Sequence, residues 1–176
     1  MESHRGVETE IKLKIADLAE MQERLHALGF VLRVPSSLER SVLWDREEAL
    51  MREGCALRLR RYAERAWLTW KGAKVPDALL KIRPEWETEI ADPEAMEKIL
   101  EGLGYAPVLT MEKHRAMLEG NQLSACLDFT PFGAFLELEG EAEAIQRTMA
   151  ALGLGAEAVE RRSYPTLFRE AVSGKT

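Results

Sequence analysis

The stretch Glu8-Thr9-Glu10-Ile11-Lys12 carries a charge at every second position, with Val7, Thr9, Ile11 and Leu13 in the alternate places. On a β-strand successive side chains point to opposite faces, so Glu8, Glu10 and Lys12 share one face and the apolar set shares the other. A single strand of this kind ordinarily shows its charged face to bulk water. Repetition changes that reading. The alternation returns at Leu57-Arg58-Leu59-Arg60, along Arg83-Pro84-Glu85-Trp86-Glu87-Thr88-Glu89-Ile90, at Lys113-His114-Arg115 and at Phe135-Leu136-Glu137-Leu138-Glu139. Charges of both signs on one face of so many strands point to a sheet whose functional face is ionic.

Outward from this pattern, residues 17–28 read as a helix: Leu18, Met21, Leu25 and Leu28 recur at helical spacing, Asp17 is placed to cap it and Gly29 supplies a stop. Pro35-Ser36-Ser37 is expected to break the chain before a strand over 38–45, and a short helical turn follows over 46–51. Strands over 56–62 and 66–71 have hairpin spacing. Another strand covers 80–91, where Pro84 marks an edge or bulge. Asp92-Pro93-Glu94 opens a helix with the stripe Met96, Ile99, Leu100 and Leu103. Three more strands are predicted over 109–119, 123–129 and 134–140, with helices over 141–152 and 164–172. Short connections favour antiparallel pairing, and about eight strands can close into a barrel.

The helices decide which face is inside. Their apolar stripes need a partner, and Ile11, Leu13, Leu57, Leu59, Leu68, Trp70, Leu136 and Leu138 supply one. The expected fold is therefore α+β: an eight-stranded antiparallel β-barrel with helices packed on the outside and a charged interior. Glu8, Glu10, Lys12, Arg58, Arg60, Lys71, Arg83, Glu85, Glu87, Lys113, Arg115, Asp128, Glu137 and Glu139 would converge there. Buried charges are costly unless they meet one another, a metal or a ligand. Carboxylates suit hard divalent cations, while Arg and Lys suit phosphate oxygens, so the mixed set points to a linear polyphosphate accompanied by a cation.

Length sets one domain over residues 1–176. A formal net charge of −6 argues against non-specific nucleic-acid binding, although Arg58, Arg60, Arg61, Arg65, Lys71 and Lys74 allow a local basic site. No apolar run reaches the roughly 20 residues of a membrane span, and the first five residues lack a signal-peptide core, so no membrane association and a cytoplasmic location are expected. Cys55 and Cys126 lack zinc-site spacing and read as buried thiols. His114 has the parity opposite to Lys113 and Arg115 and reads as packing or solvent-facing; His4 and His26 read as surface residues. The tryptophans read as core or wall residues, with Trp44 and Trp67 open to a place at a tunnel mouth.

These residues, in this order, resemble the CYTH superfamily, the triphosphate tunnel metalloenzymes that include class IV adenylate cyclases and thiamine triphosphatases. The hallmark Glu-x-Glu-x-Lys is Glu8, Glu10 and Lys12. Leu57-Arg58-Leu59-Arg60, Thr69-Trp70-Lys71-Gly72, the strand from Arg83 to Glu89, Glu112-Lys113-His114-Arg115, Leu127-Asp128 and Phe135-Leu136-Glu137-Leu138-Glu139-Gly140 follow in the family's order. Ser163-Tyr164-Pro165-Thr166-Leu167 resembles a segment near the end of many bacterial members. The resemblance covers essentially the whole chain. Leu43-Trp44-Asp45 departs from the aromatic pair that many members place before Asp in the second strand.

The resemblance implies an eight-stranded triphosphate tunnel holding Mg²⁺ or Mn²⁺. It implies that Lys12, Arg58, Arg60, Lys71, Lys113, Arg115 and Arg83 hold phosphate oxygens, that Glu8, Glu10, Glu137 and Glu139 hold metal with Asp128 beside them, and that Glu85 and Glu87 orient the basic residues or bind a second ion. Glu89 shares the parity of Glu85 and Glu87, but Pro84 leaves its register open. The expected activity is hydrolysis of a small triphosphate: inorganic, thiamine or nucleoside. The alternative is a class IV adenylate cyclase, and a third reading is a polyphosphate binder without turnover. A homodimer and the roles of Arg161 and Arg162 stay open.

Overall fold

A computed structural model describes residues 6–77 and 79–174. The expectations for the first five residues, His4 among them, and for Ala78 fall outside that range. Eight strands, β1 (Gly6–Ile15), β2 (Val31–Asp45), β3 (Ala56–Tyr62), β4 (Arg65–Lys71), β5 (Lys81–Ile90), β6 (Ala106–Gly120), β7 (Leu123–Thr130) and β8 (Gly133–Gly140), form a closed barrel in the order β1-β5-β4-β3-β2-β6-β7-β8. Five helices, α1 (Leu18–Ala27), α2 (Ala49–Arg52), α3 (Pro93–Gly102), α4 (Ala142–Ala151) and α5 (Tyr164–Val172), and a 3₁₀ turn (Ala156–Ala158) complete the described chain. The fold is the α+β barrel that the strand parity predicts. None of the described helices is long and apolar enough to cross a membrane.

By packing, the residues fall into two compact units. The first combines the start of β1, through Glu8, with Leu38–Pro76 and Ile82–Glu112. Its ladders set Ser41 opposite Arg60, Leu43 opposite Arg58, Arg58 opposite Thr69, Thr69 opposite Glu87 and Lys71 opposite Glu85. Residues directly opposite in an antiparallel pair share a face, so these side chains line one side of the sheet. The other side carries Val42, Trp44, Leu57, Leu59, Leu68 and Ile90, packed against Met96 and Leu100 of α3 and Tyr105. Helix α3 starts there because the Asp92 carboxylate accepts the Ala95 N–H and Pro93 fits the first turn.

The second unit holds the rest of β1, α1, the first half of β2, and the chain from Lys113 onward. Here Arg115 faces Asp128, Cys126 faces Glu137, Lys12 faces Glu137 and Glu10 faces Glu139. The alternate residues Ile11, Leu13, Ala116, Leu118, Ala125, Leu127, Leu136 and Leu138 are buried on the opposite face, where α1 contacts β7 and α4 contacts β8. The helices bury Met21, Leu25, Ile145 and Met149.

Several local expectations need correction. Trp70 and Trp86 are exposed instead of core or wall residues, and Cys55 is only partly buried. Strand β2 starts at Val31 and runs through Pro35 instead of beginning at Leu38. Pro35 precedes the stretch paired with β3, Glu39 to Trp44, so its missing N–H breaks no ladder bond on that edge. Strand β6 likewise starts earlier, at Ala106. Trp44 lies in the apolar layer under α3 and not at a tunnel mouth.

Gly140 ends β8 with φ +146°, and a Cβ there would stand 2.7 Å from Leu123 Cδ2 and 2.9 Å from the Gln122 carbonyl oxygen. Gly140→Ala is therefore expected to lower stability by about 1–3 kcal/mol, measured as a shift in the urea unfolding midpoint at unchanged slope.

Candidate functional site

In the first unit the inward face is a ladder of matched charges. Lys71 donates to Glu8 at 2.7 Å and to Glu85 at 2.6 Å. Arg60 donates to both Glu87 oxygens at 3.1 and 3.2 Å, and its guanidinium lies 4.8 Å from the Trp67 ring centroid. Arg58 reaches the Thr69 hydroxyl at 3.4 Å and stands 3.6 Å from Glu87, to which Thr69 donates at 2.6 Å. Glu39 is buried and lies 3.8 Å from Arg60. Burial alone would push the Glu85 and Glu87 carboxyls up, but Lys71 and Arg58 for Glu85, and Arg60 and Arg58 for Glu87, hold both below the usual range. Burial works against the Arg58 charge too, yet Glu39, Glu87 and Glu85 outweigh it and raise its pKa.

The second unit is built around Asp128, which has no exposed surface. Its Oδ2 accepts from Lys113 at 3.0 Å, Arg115 at 2.6 Å and the Tyr164 hydroxyl at 2.5 Å, and its Oδ1 accepts from the Arg115 Nε at 2.7 Å. Arg115 also donates to Glu137 at 2.5 Å, and Lys81 donates to Glu10. Burial and Glu10 would raise the Glu137 pKa, but Lys113, Arg115 and Lys12 keep it low. Lys12 is buried as well, and burial lowers its pKa to about 8 against the pull of Glu137 and Glu10.

On β1 and its partner β8, Glu8, Glu10 and Glu139 each bring a carboxylate oxygen within 4.8 Å of the others. The Glu8 Oε2 is buried without a hydrogen-bond partner among the described residues. Three oxygen donors and an orphaned carboxylate oxygen suit a hard divalent cation.

The structure thus brings Lys12, Lys113, Arg115, Asp128 and Glu137 together in one unit, and Arg58, Arg60, Lys71, Glu85 and Glu87 in the other. Three expected roles look different in place. Glu137, expected to hold metal, stands outside the three-carboxylate cluster and accepts from Arg115. Asp128 stands outside the three-carboxylate cluster, with both oxygens taken by cations and a phenol. Arg83 is buried and donates to the backbone carbonyls of Gly72, Gly54 and Lys71, a structural use of most of its fork. Glu89 is exposed and paired with Arg65. Cys126 is buried on the inward side beside Glu137, and burial pushes its thiol up to about 11, which keeps it inert. Sequence reasoning missed Glu39, Thr69, Lys81 and Tyr164. Glu39 and Lys81 were within reach through parity with Ser41 and Arg83, and Tyr164 lay in a quoted segment. Thr69 carries no charge to mark it.

A CYTH domain model matches residues 6–164. The chain belongs to the CYTH family. It is 30% identical over 170 residues to the Methanocaldococcus jannaschii protein named "Putative adenylate cyclase MJ0240", covering 90% of this chain and 96% of that one. Its fold is similar to that of a structure from Vibrio parahaemolyticus, described as a putative adenylate cyclase, with TM-score 0.81 and 20% identity over 94% of this chain and 99% of the other. It is also similar, with TM-score 0.70 and 21% identity over 96% and 97% of the two chains, to the Hippeastrum protein HpAC1, described as a putative adenylyl cyclase with a dominant triphosphatase activity.

The segment before α5 clasps β1 behind this site. Val159 bridges to Leu13, and the Glu160 N–H donates to the Lys12 carbonyl at 2.8 Å. The Glu160 carboxylate accepts from Arg162 at 2.6 and 2.9 Å and meets Lys14 at 3.1 Å; these bonds, Arg162 first, lower its pKa to about 2. Arg162 also donates to Glu170 of α5, so its role is to anchor this segment. A depressed carboxyl stabilises the fold above its unfolded pKa of about 4.3 and loses that contribution as pH falls through the folded value. Glu160→Gln should therefore cost about 1–2 kcal/mol at pH 7 and progressively less between pH 4.5 and 2, read from urea unfolding across that range.

Proposed function

We propose that this protein is a metal-dependent triphosphatase that hydrolyses a small triphosphate. The observation that carries the reading is the cluster of Glu8, Glu10 and Glu139 oxygens on β1 and β8, whose ladder sets the buried Lys12 on the same face. A triphosphate offers enough oxygens to exchange with the carboxylates that now hold those cations. Lys12, Lys113 and Arg115 would then bind phosphate oxygens, and the family resemblance gives the same role to Arg58, Arg60 and Lys71. Glu85 and Glu87 keep Lys71, Arg58 and Arg60 aimed during the exchange, and Asp128 does the same for Lys113 and Arg115.

Phosphoryl transfer asks the protein mainly for positioning and for charge to meet the oxygens of the transferring group. The fixed guanidinium and ammonium groups supply that charge without reorganising. Water adds to the terminal phosphorus as the bridging P–O bond breaks, and the diphosphate remainder leaves. A Mg²⁺ or Mn²⁺ ion held by Glu8, Glu10 and Glu139 would contribute Lewis-acid polarisation of a phosphoryl oxygen.

Two observations favour hydrolysis of a small triphosphate. Among the four tryptophans Trp67 alone lies on the inward face, and its ring is already met by Arg60 at 4.8 Å and Arg65 at 5.2 Å, so a base could stack on it only by displacing them. The Hippeastrum protein joins a cyclase name to a dominant triphosphatase activity. The second reading, cyclisation of ATP by attack of its ribose 3′-hydroxyl on the α-phosphorus, draws its support from the name of the Methanocaldococcus jannaschii relative.

Incubation with inorganic triphosphate, thiamine triphosphate or ATP plus Mg²⁺ or Mn²⁺, with products resolved, separates the two. Orthophosphate should appear, cease on chelation of the metal, and be lost at least a hundredfold in Glu10→Ala and Arg60→Ala at unchanged circular dichroism. Cyclic AMP with pyrophosphate would establish the second reading instead, and near-normal rates in either variant would sink the assignment of the site.

A further inference from the structure

The segment Ser163-Tyr164-Pro165 has no part in the chemistry described so far, yet it brings a phenol ring into the basic cluster of the second unit. Tyr164 opens α5, where the Ser163 side chain caps the helix by accepting the Thr166 N–H and Pro165 fits the first turn. Leu167 and Phe168 are buried beneath the helix, and the Phe168 ring meets Phe132 edge-on at 4.9 Å. The Tyr164 ring in turn meets Phe135 edge-on at 5.8 Å. Its position is therefore set by a cap at one end and an aromatic stack at the other.

Two cations sit against this ring. The Lys12 Nζ lies 4.0 Å from its centroid and the Lys113 Nζ 3.9 Å. Several other inward basic residues hold carboxylates: Lys71 holds Glu8 and Glu85, Lys81 holds Glu10, and Arg115 holds Asp128 and Glu137. Lys12 differs. Among the described residues its ammonium meets the rings of Tyr164 and, at 5.9 Å, Phe135, and it makes no carboxylate ion pair. The distinction matters for an anionic ligand. A carboxylate competes with phosphate for the N–H donors, whereas a π face attracts the charge without occupying them.

The hydroxyl has a separate task. It donates to Asp128 at 2.5 Å, the carboxylate that orients Lys113 and Arg115. Burial, with Glu137 and Asp128 nearby, raises the phenol's pKa well above its ordinary value and keeps it a neutral donor.

We propose that Tyr164 is a positioning residue of the triphosphate site, holding the Lys12 and Lys113 ammonium groups on its ring and fixing Asp128 through its hydroxyl. The role rests on the triphosphate reading above. It makes the capped start of α5 a working part of the basic cluster and assigns a task to a residue that touches no phosphate itself.

The test is titration calorimetry of the full chain with inorganic triphosphate and Mg²⁺. Tyr164→Leu removes the ring and should weaken binding about ten- to thirtyfold, while Tyr164→Phe keeps the ring but releases Asp128 and should weaken it by only about threefold. Tyr164→Met, which fills space without a π face, repeats the first measurement in a differently packed variant. Leu167→Ala, on the buried side of the same helix, should lower stability and leave affinity unchanged. In a double-mutant cycle, Tyr164→Leu with Lys12→Met should lose less than the product of the single losses. Unchanged affinity in both ring-deleted variants, an equal loss in Leu167→Ala, or strictly multiplicative losses would overturn the role alone. Failure of the unmutated protein to bind inorganic triphosphate would overturn the functional reading, and this role with it.

Discussion

Charge taken out of water has to be matched, and strand parity is what does the matching in this protein. Many inward charges have an opposite or neighbouring residue that carries the complementary charge: Lys71 against Glu85, Arg58 and Arg60 beside Glu87, Arg115 against Asp128. Desolvation of one such charge alone would cost several kcal/mol, more than most domains could spare. Register is therefore fixed from both sides of the sheet. A one-residue slip would bury Lys and Glu under the helices and turn Leu136, Leu138 and Ile11 toward the charges.

The same matching defines what the inward face can accept. Its cations are held by carboxylates and not by inert packing, so an incoming anion can take over donors that are already aimed. A ligand with one phosphate would satisfy few of them and leave the displaced carboxylates buried and unpaired. On the proposed function, a longer polyanion accompanied by a cation would resolve both halves of that imbalance. Lys12, held by rings, needs no exchange at all.

Much of this was legible in the sequence because it rests on a period of two. The eight strands, the inward set from Glu8 to Glu139 and the caps at Asp17 and Asp92 follow from alternation and local chemistry, and the structure carries them. What escaped depends on partners distant in sequence. Pro35 looked like a break because the lack of a β3 partner along that part of β2 is a property of the sheet and not of the proline. Asp128 and Glu139 are both acidic inward residues, and only the arrival of Lys113, Arg115 and Tyr164 separates their roles. Arg83 has the parity of a phosphate ligand, but its fork meets the carbonyls of a loop that folds back beside it. Thr69 is uncharged, and its use by Glu87 appears only once β4 and β5 are paired.

The pairing of β1 with β8 has a kinetic meaning. Glu10 sits opposite Glu139, so the earliest strand of the sheet meets this partner only after nearly all of the intervening chain exists. Until then β1 has only β5 beside it in the sheet, and its other edge is without a strand partner. Contacts of such long sequence separation form late and fold slowly. The Val159–Leu13 bridge and the Glu160–Lys12 hydrogen bond come later still along the chain. The stretch Glu8-Thr9-Glu10-Ile11-Lys12 thus gains its β8 partner among the later steps of folding.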